Sequence, residues 1–197
     1  MNWKNITIGQ FQQLDAIGKA EYELSIEREI AVISCVTGKS IDELESYPKD
    51  KLMEVAHSLD FMKEPMSDKL VDSFKVKGRT FKVILECQKL NAQQLILMLK
   101  YCPTLEMVTA NIHYIMAVIT NEKKWYLRKP LPFEEEFEGK AELFKGMSIE
   151  TVHATCVFFC KVYKSWLEAT ETSLLMKAKE LQKILRKQQN EIRRKPR

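Results

Sequence analysis

Apolar residues recur along most of this chain at spacings of three and four, which is the period of one helix face. Positions 21–36 show this period clearly and predict an amphipathic helix that stops near Gly38. Its apolar positions are Tyr22, Ile26, Ile30, Ile33 and Val36. The same spacing returns in the second half of the chain, so the dominant predicted element is the helix.

Three capping boxes mark predicted helix starts, and one of them, Ser40 with Glu43, opens a short helix. Thr7 and Gln10 can each bond the other's backbone amide, and Asn91 and Gln94 stand in the same relation 84 residues later. Further matches link Ala31-Val32-Ile33 with Ala117-Val118-Ile119, and Leu44, Tyr47 and Leu52 with Phe144, Met147 and Val152. Their order predicts an approximate internal duplication of a three- or four-helix unit. The alternative is that two unrelated amphipathic stretches line up this well.

The period changes to strict alternation between Phe74 and Glu86, around the turn candidate Lys77-Gly78. This pattern predicts a β-hairpin. Because two strands alone are marginal in water, the hairpin must lie on helices or pair with the edge of another chain. The predicted fold is mainly α: a helical bundle with one inserted hairpin and a long C-terminal helix. Its segments are a helical unit at 1–65, the hairpin at 74–88, a second helical unit at 89–168 and a basic amphipathic helix at 169–197.

The C-terminal helix is predicted to begin near Ser148 and to reach about Gln189. Its last part carries an apolar seam with the alternating steps of a coiled coil. The seam positions are Leu174, Ala178, Leu181, Leu185, Gln188 and Ile192. Such a helix needs a partner, which is its own body, a sister subunit or an acidic surface.

Composition agrees with a compact helical protein, because 45% of the 197 residues are hydrophobic, 29% are charged, and glycine and proline number only 6 each. The net charge of +4 hides an asymmetry. Positions 177–197 hold nine Lys or Arg against two Glu, a local +7, which leaves about −3 for the first 176 residues. The N-terminus has no basic and apolar leader pattern, and no apolar stretch is long enough to cross a membrane.

Candidate chemistry is sparse. His153, Cys156 and Cys160 share one helix face, which suits a zinc ligand set, but they flank an apolar run and we interpret them as core residues. The five cysteines are expected to be reduced thiols. The acidic run 134–138 is interpreted as a solvated loop face. Phosphate-binding glycine loops and H-E-x-x-H are absent from the sequence, so we predict no catalytic residue, no metal, no cofactor and no enzyme activity.

The candidate sites are therefore contact surfaces. The predicted interface residues are Phe74, Val76, Phe81 and Val83 of the hairpin, the loop pair Trp125 and Tyr126, and Leu174, Leu181 and Leu185 of the seam. Basic residues of the last helix are candidates for nucleic-acid contact: Lys183, Arg186, Lys187, Arg193 and Arg194. Against nucleic-acid binding, the helix has no aromatic residue between 177 and 197 on which bases could stack.

Three stretches carry a family resemblance: I-T-I-G-Q-F-Q-Q-L from residue 6, V-I-S-C-V-T-G-K-S-I-D-E-L from residue 32, and F-K-V-K-G-R-T-F-K-V from residue 74. With these stretches the chain resembles the small helical morphogenesis proteins of tailed bacteriophages. It is most similar to those of the tail and head-to-tail region of gut phages, including crAss-like ones, and to tail assembly chaperones. The resemblance spans about residues 6–165. The basic C-terminal helix is not a mark of this family.

The resemblance implies a non-enzymatic part in phage assembly, which leaves two versions open. In one, the protein is a virion component that forms a ring or connector with other phage structural proteins and lies near DNA. In the other, it is a tail assembly chaperone that leaves before the particle is complete. A third reading is a nucleic-acid-binding accessory protein, whose binding should fall steeply with added salt. We expect a homo-oligomer or ring, assembled in the host cytoplasm and located in the virion, with no membrane partner.

Overall fold

The computed structural model describes residues 1–123 and 133–193, with side chains of the last helix described to residue 172 and at 176 and 177. The described elements, in chain order, are α1 (Ile8–Lys19), α2 (Ser25–Thr37), α3 (Ile41–Glu45), α4 (Lys49–His57), β1 (Ser73–Val76), β2 (Arg79–Val83), α5 (Ala92–Tyr101), α6 (Val108–Val118), β3 (Thr120–Glu122), α7 (Phe133–Lys145) and α8 (Ile149–Arg193). Short 3-10 turns lie at Trp3–Asn5, Asp60–Lys63, Cys87–Lys89 and Leu105–Met107. The mainly α fold with a small β insertion is confirmed.

Two of the three predicted capping boxes are formed in full, whereas at the third only the Ser40 hydroxyl accepts, from the Glu43 amide at 3.2 Å. The Thr7 hydroxyl accepts from the Gln10 amide at 3.1 Å, and the Gln10 side-chain oxygen accepts from the Thr7 amide at 3.0 Å. Asn91 and Gln94 make the same exchange at the start of α5. Each exchange satisfies backbone amides that would otherwise lack a partner in the first helical turn, so α1 and α5 begin where the sequence predicts.

The two capping glutamines also share a second contact. Gln10 Nε2 donates to the carbonyl of Cys35 near the end of α2, at 3.1 Å. Gln94 Nε2 donates to the carbonyl of Val118 at the end of α6, at 2.7 Å. In each half, therefore, the capping glutamine ties the start of one helix to the end of the next. The two halves share this bridge, and the internal duplication stays a prediction.

We expect Gln94→Ala to lower the free energy of unfolding by about 2 kcal/mol. The substitution removes half of the capping box and a buried bond to Val118. Urea unfolding followed by circular dichroism measures the effect. The matched control is Gln93→Ala, which alters the exposed neighbour and should change stability by less than about 0.5 kcal/mol. Equal losses in the two variants would contradict the bridging role.

The predicted hairpin of β1 and β2 is present, and a third strand, β3, extends it into a sheet. Phe74 of β1 faces Phe81 of β2 in antiparallel register, and the two-residue turn Lys77-Gly78 has both φ angles positive, at 44° and 77°. Positive φ at both positions is the type I′ geometry that matches strand twist, and glycine accepts it without strain. β3 pairs antiparallel with β2 and completes a sheet of order β1-β2-β3.

The sheet lies on a cluster of aromatic rings. The ring centroid of Phe144 on α7 is 5.5 Å from that of Phe74 and 4.9 Å from that of Phe81, both edge to face. The hairpin therefore lies on helices of its own chain, the first of the two arrangements that the sequence allowed.

The interpretation of run 134–138 as a loop is wrong, because these residues form the first part of α7. Acidic side chains in a first helical turn interact favourably with the helix dipole, and glutamate is a good helix former. The apolar stripe of α7 favours the helix, because Phe137, Ala141 and Phe144 recur at steps of four and three and are all buried.

The chain divides once, into a compact unit Met1–Cys160 and a second unit Lys161–Arg197. Both predicted helical units and the hairpin thus belong largely to a single compact unit. The division falls within α8, some residues before the predicted boundary at 168/169. In the described part of the second unit, α8 is the sole element of secondary structure.

Candidate functional site

The α5 helix carries an uncovered apolar surface. Its residues 95–99 read Leu-Ile-Leu-Met-Leu, a run of five apolar residues between Gln94 and Lys100. Met98 is fully buried, whereas Ile96 is 64% and Leu99 is 50% exposed. Leu105 and Met107, in the 3-10 turn that follows, are also exposed. We call these four exposed residues the α5 surface: Ile96, Leu99, Leu105 and Met107.

Such a surface is unusual for a helix that faces water. Ile96 and Leu99 stand three residues apart and so share one helix face, and neighbouring exposed apolar residues mark contact sites more often than scattered ones do. The exposed charged residues Lys100 and Glu106 stand next to these apolar side chains in the sequence. Sequence reasoning missed it because an apolar run on a predicted helix does not show which of its side chains the fold covers.

The predicted hairpin interface residues lie mostly inside the chain. Phe74, Phe81 and Val83 are buried, and Val76 is half-buried. These three buried side chains are core residues of unit Met1–Cys160, so we no longer place them on a contact surface. Their alternation correctly indicated one covered face, and α7 supplies part of that cover through Phe144.

The other predicted contact residues fall into two groups, one outside the described residues and one on the backbone of α8. Trp125, Tyr126 and Arg194 lie outside the described residues. The backbone at the other seam and basic positions belongs to α8, which continues without interruption to Arg193. These positions are Leu174, Leu181, Leu185, Lys183, Arg186, Lys187 and Arg193.

A polar cleft of about 150 Å³ lies where β3 meets α5 and α7. Arg79 donates to both carboxylate oxygens of Glu122, at 2.8 and 2.6 Å, and Lys140 Nζ donates to the carbonyl of Thr120 at 2.8 Å. These bonds hold β3 between the hairpin and α7. The cleft was not predicted, because its position depends on β3, which is only three residues long.

Four buried cysteines lie in the described core: Cys87, Cys102, Cys156 and Cys160. A hydrogen bond with Cys160, together with burial, raises the pKa of the Cys102 thiol, and burial raises the pKa of Cys87. A raised pKa keeps a thiol protonated and weakly nucleophilic. All five cysteines of the chain are unpaired thiols, as the sequence predicts.

His153, the first member of the candidate zinc face, packs edge to face on Phe11 with ring centroids 5.9 Å apart. Burial lowers the pKa of His153. Across the described residues, no group of three or more His, Cys, Asp or Glu side chains has a geometry that could hold a metal ion.

A second buried histidine, His113 on α6, is held neutral. Gln12 Nε2 donates to His113 Nδ1 at 2.8 Å, so this ring nitrogen acts as an acceptor. Burial and the nearby positive charge of Lys145 lower the pKa of His113 to about 4. A protonated His113 ring would carry a charge in a buried position, and its Nδ1 could no longer accept the hydrogen bond from Gln12.

We expect the free energy of unfolding to fall by about 3 kcal/mol as the pH drops from 6.5 to 4, through His113. Between pH 6.5 and pH 4 the imidazole binds a proton in the unfolded chain but not in the folded chain. Its contribution to the free energy of unfolding is therefore fully present above pH 6.5 and is lost toward pH 4. Urea titrations at several pH values measure the slope. His113→Asn should make the free energy of unfolding depend less steeply on pH, which distinguishes the effect of the imidazole from that of the carboxylates. An unchanged slope in that variant would contradict the assignment to His113.

In comparisons with known proteins, no family model, curated protein or solved structure matches this chain. No helix among the described residues combines the length and the apolar character needed to cross a membrane.

Proposed function

We propose that this chain is a non-enzymatic structural subunit that works through protein–protein contacts. In this proposal it is a virion component of the head-to-tail or tail region of a tailed phage, in a ring or connector with other structural proteins. The observation that carries the proposal is the α5 surface. Exposing Ile96 and Leu99 to water is unfavourable, and their burial against a neighbour contributes about 25 cal/mol per Å² of apolar area.

The position of the surface supports this use. α5 packs mainly against α6, and Tyr101 at its end stacks on Phe137 of α7. The opposite side is available without any rearrangement of the core, since Met98 already fills the inner position. A rigid apolar face on a packed helix suits a lasting contact, because little ordering is needed on binding.

The phage setting comes from the sequence resemblance in the stretches from residues 6, 32 and 74. The tail assembly chaperone remains the second candidate, and the α5 surface favours it equally, because a chaperone also presents apolar surface to its client. The two roles differ in whether the protein stays in the finished particle.

Cross-linking of purified particles with a lysine-specific reagent, followed by mass spectrometry, tests the proposal. Lys100 is exposed at the end of α5, next to Leu99, and should cross-link to another particle protein or to a second copy. The comparison within the same sample is Lys51, an exposed lysine on α4, which carries none of the four residues of the α5 surface. Cross-links between chains at Lys51 but not at Lys100 would contradict the use of this surface.

A further inference from the structure

The sheet has a second face, on the side away from Phe144. Side chains alternate along a strand, and Phe74 and Phe81 point toward the aromatic cluster on α7. Their neighbours along the strands therefore form the opposite face. Antiparallel pairing places these neighbours in two rows, Ser73 with Lys82 and Asn121, and Lys75 with Thr80 and Lys123. We call these six residues the sheet face. Five of them are exposed, and Thr80 is half-buried.

The sheet face is strongly basic. Three of its six side chains are lysines, and the others are a serine, a threonine and an asparagine, so none is acidic and none is apolar. Lys82 stands diagonally across from both Lys75 and Lys123, about 7–8 Å from each. The first 176 residues together carry a net charge of about −3. The sheet face is therefore a positive surface on a part of the chain that is negative overall.

The three lysines of the sheet face have no ion-pair partner within the described part of the chain. The two acids next to this face in sequence are engaged elsewhere. Glu122, beside Lys123, accepts both hydrogen bonds from Arg79 on the covered side of the sheet. Asp72, directly before β1, accepts from the Ser73 hydroxyl at 3.0 Å. The positive charge of the lysines is thus available to a partner from outside.

Protection of the sheet edges explains only part of this pattern. Lysines on edge strands prevent unwanted strand pairing, and Lys75 on β1 and Lys123 beside β3 suit that role. Lys82 does not, because β2 is paired on both sides and has no free edge. Lysine is also depleted in strands relative to β-branched and aromatic residues. Its place on the middle strand indicates that the charge on this face serves binding.

The composition of the sheet face favours one class of partner. Protein–protein contacts have an apolar centre inside a polar rim, and this face has no apolar side chain to supply one. Contacts with DNA are more polar and more positively charged, and Lys, Ser, Thr and Asn all bind phosphate oxygens. The face also has no aromatic ring on which the bases of a single strand could stack. These properties match the phosphate backbone of a duplex.

We propose that the sheet face binds the phosphate backbone of double-stranded DNA, without preference for sequence. The surface is distinct from the basic C-terminal helix, for which the sequence alone predicts nucleic-acid contact. Binding of this kind is a property of the isolated chain and does not depend on the proposed role in a particle. Failure of one proposal therefore leaves the other standing.

Fluorescence anisotropy of a short labelled DNA duplex, titrated with the full chain at several salt concentrations, tests the proposal. The unaltered chain should bind two duplexes of unrelated sequence with dissociation constants that agree within about twofold, and added salt should weaken both. The combination of Lys75→Gln, Lys82→Gln and Lys123→Gln should weaken binding at low salt at least about tenfold. It should also lower the slope of log affinity against log salt by about 2.7, since each lost phosphate contact removes about 0.9.

The matched control neutralises three exposed lysines away from the sheet, Lys4, Lys49 and Lys100, and should leave the salt slope nearly unchanged. Circular dichroism and the urea midpoint check the fold of each variant, and Lys82→Gln alone should lower the slope by about 0.9. An unaltered chain that does not bind the duplex would overturn the proposal. Equal slope changes in the two triple variants would overturn it too, as would full binding by the sheet-face variant, which assigns the DNA to the C-terminal helix. Labelled polyglutamate that binds as tightly as the duplex, and is lost in the sheet-face variant, would replace DNA with an acidic protein.

Discussion

Phe144→Ala is expected to lower the free energy of unfolding by about 4 kcal/mol, which is a large fraction of the stability of a protein of this size. The Phe144 ring is fully buried and contacts the rings of Phe74 and Phe81 edge to face. Truncation removes both aromatic contacts and leaves a cavity under the sheet. Urea unfolding, followed by circular dichroism and by tryptophan fluorescence, measures the loss.

The matched control is Phe158→Ala on α8. Phe158 is the same residue type on a helix of the same compact unit, but its side chain is 40% exposed. We expect a loss of less than about 1.5 kcal/mol, since a smaller apolar area returns to water and little cavity forms. Comparable losses in the two variants would contradict the central place of Phe144 between hairpin and helices.

Ile96→Glu combined with Leu99→Glu is expected to abolish incorporation of the protein into particles. The two substitutions place charges in the middle of the α5 surface, where burial without a partner is strongly unfavourable. The free energy of unfolding should change by less than about 1 kcal/mol, because both side chains are exposed in the isolated chain and glutamate is a good helix former. Complementation of a phage that lacks the gene, followed by analysis of purified particles, measures incorporation.

Leu24→Glu with Met53→Glu is the control for this pair. Both residues are exposed to a similar degree, at 58% and 48%, and lie on the first helical half of the chain. This variant should enter particles normally. If the control variant is excluded while the α5 variant is incorporated, the contact surface lies on the first half and the assignment to α5 is wrong.

Local chemistry made much of the fold predictable. The capping exchange of Thr7 with Gln10 needs only residues three apart, and the Lys77-Gly78 turn needs only a glycine where φ is positive. Such features depend on neighbours in sequence, so their prediction does not require knowledge of the remaining fold.

Features that depend on distant partners were not predictable in this way. β3 is only three residues long, and it is a strand because β2 offers it an edge and Lys140 holds its carbonyl. The acidic run of α7 looked like a loop when its charges were considered alone. Burial of Phe137 and Phe144 in the fold accounts for the helix.

The candidate site likewise has features that depend on neighbours in sequence and features that depend on distant partners. Alternation in the hairpin correctly predicted a covered face for Phe74 and Phe81, but it could not tell whether the cover belongs to this chain or to another. Conversely, the apolar run 95–99 does not show from its sequence which side chains are covered. Only the folded structure shows that Met98 is buried while Ile96 and Leu99 stay exposed.

The central proposal, a permanent structural subunit that acts through contact surfaces, is tested most directly by the copy number of this chain in finished particles. Particles purified on a density gradient and washed at high salt should be analysed by quantitative mass spectrometry against a capsid protein of known copy number. The proposal predicts several copies per particle, at a constant ratio that the wash does not reduce. Absence of the chain from washed particles that are otherwise complete would contradict it.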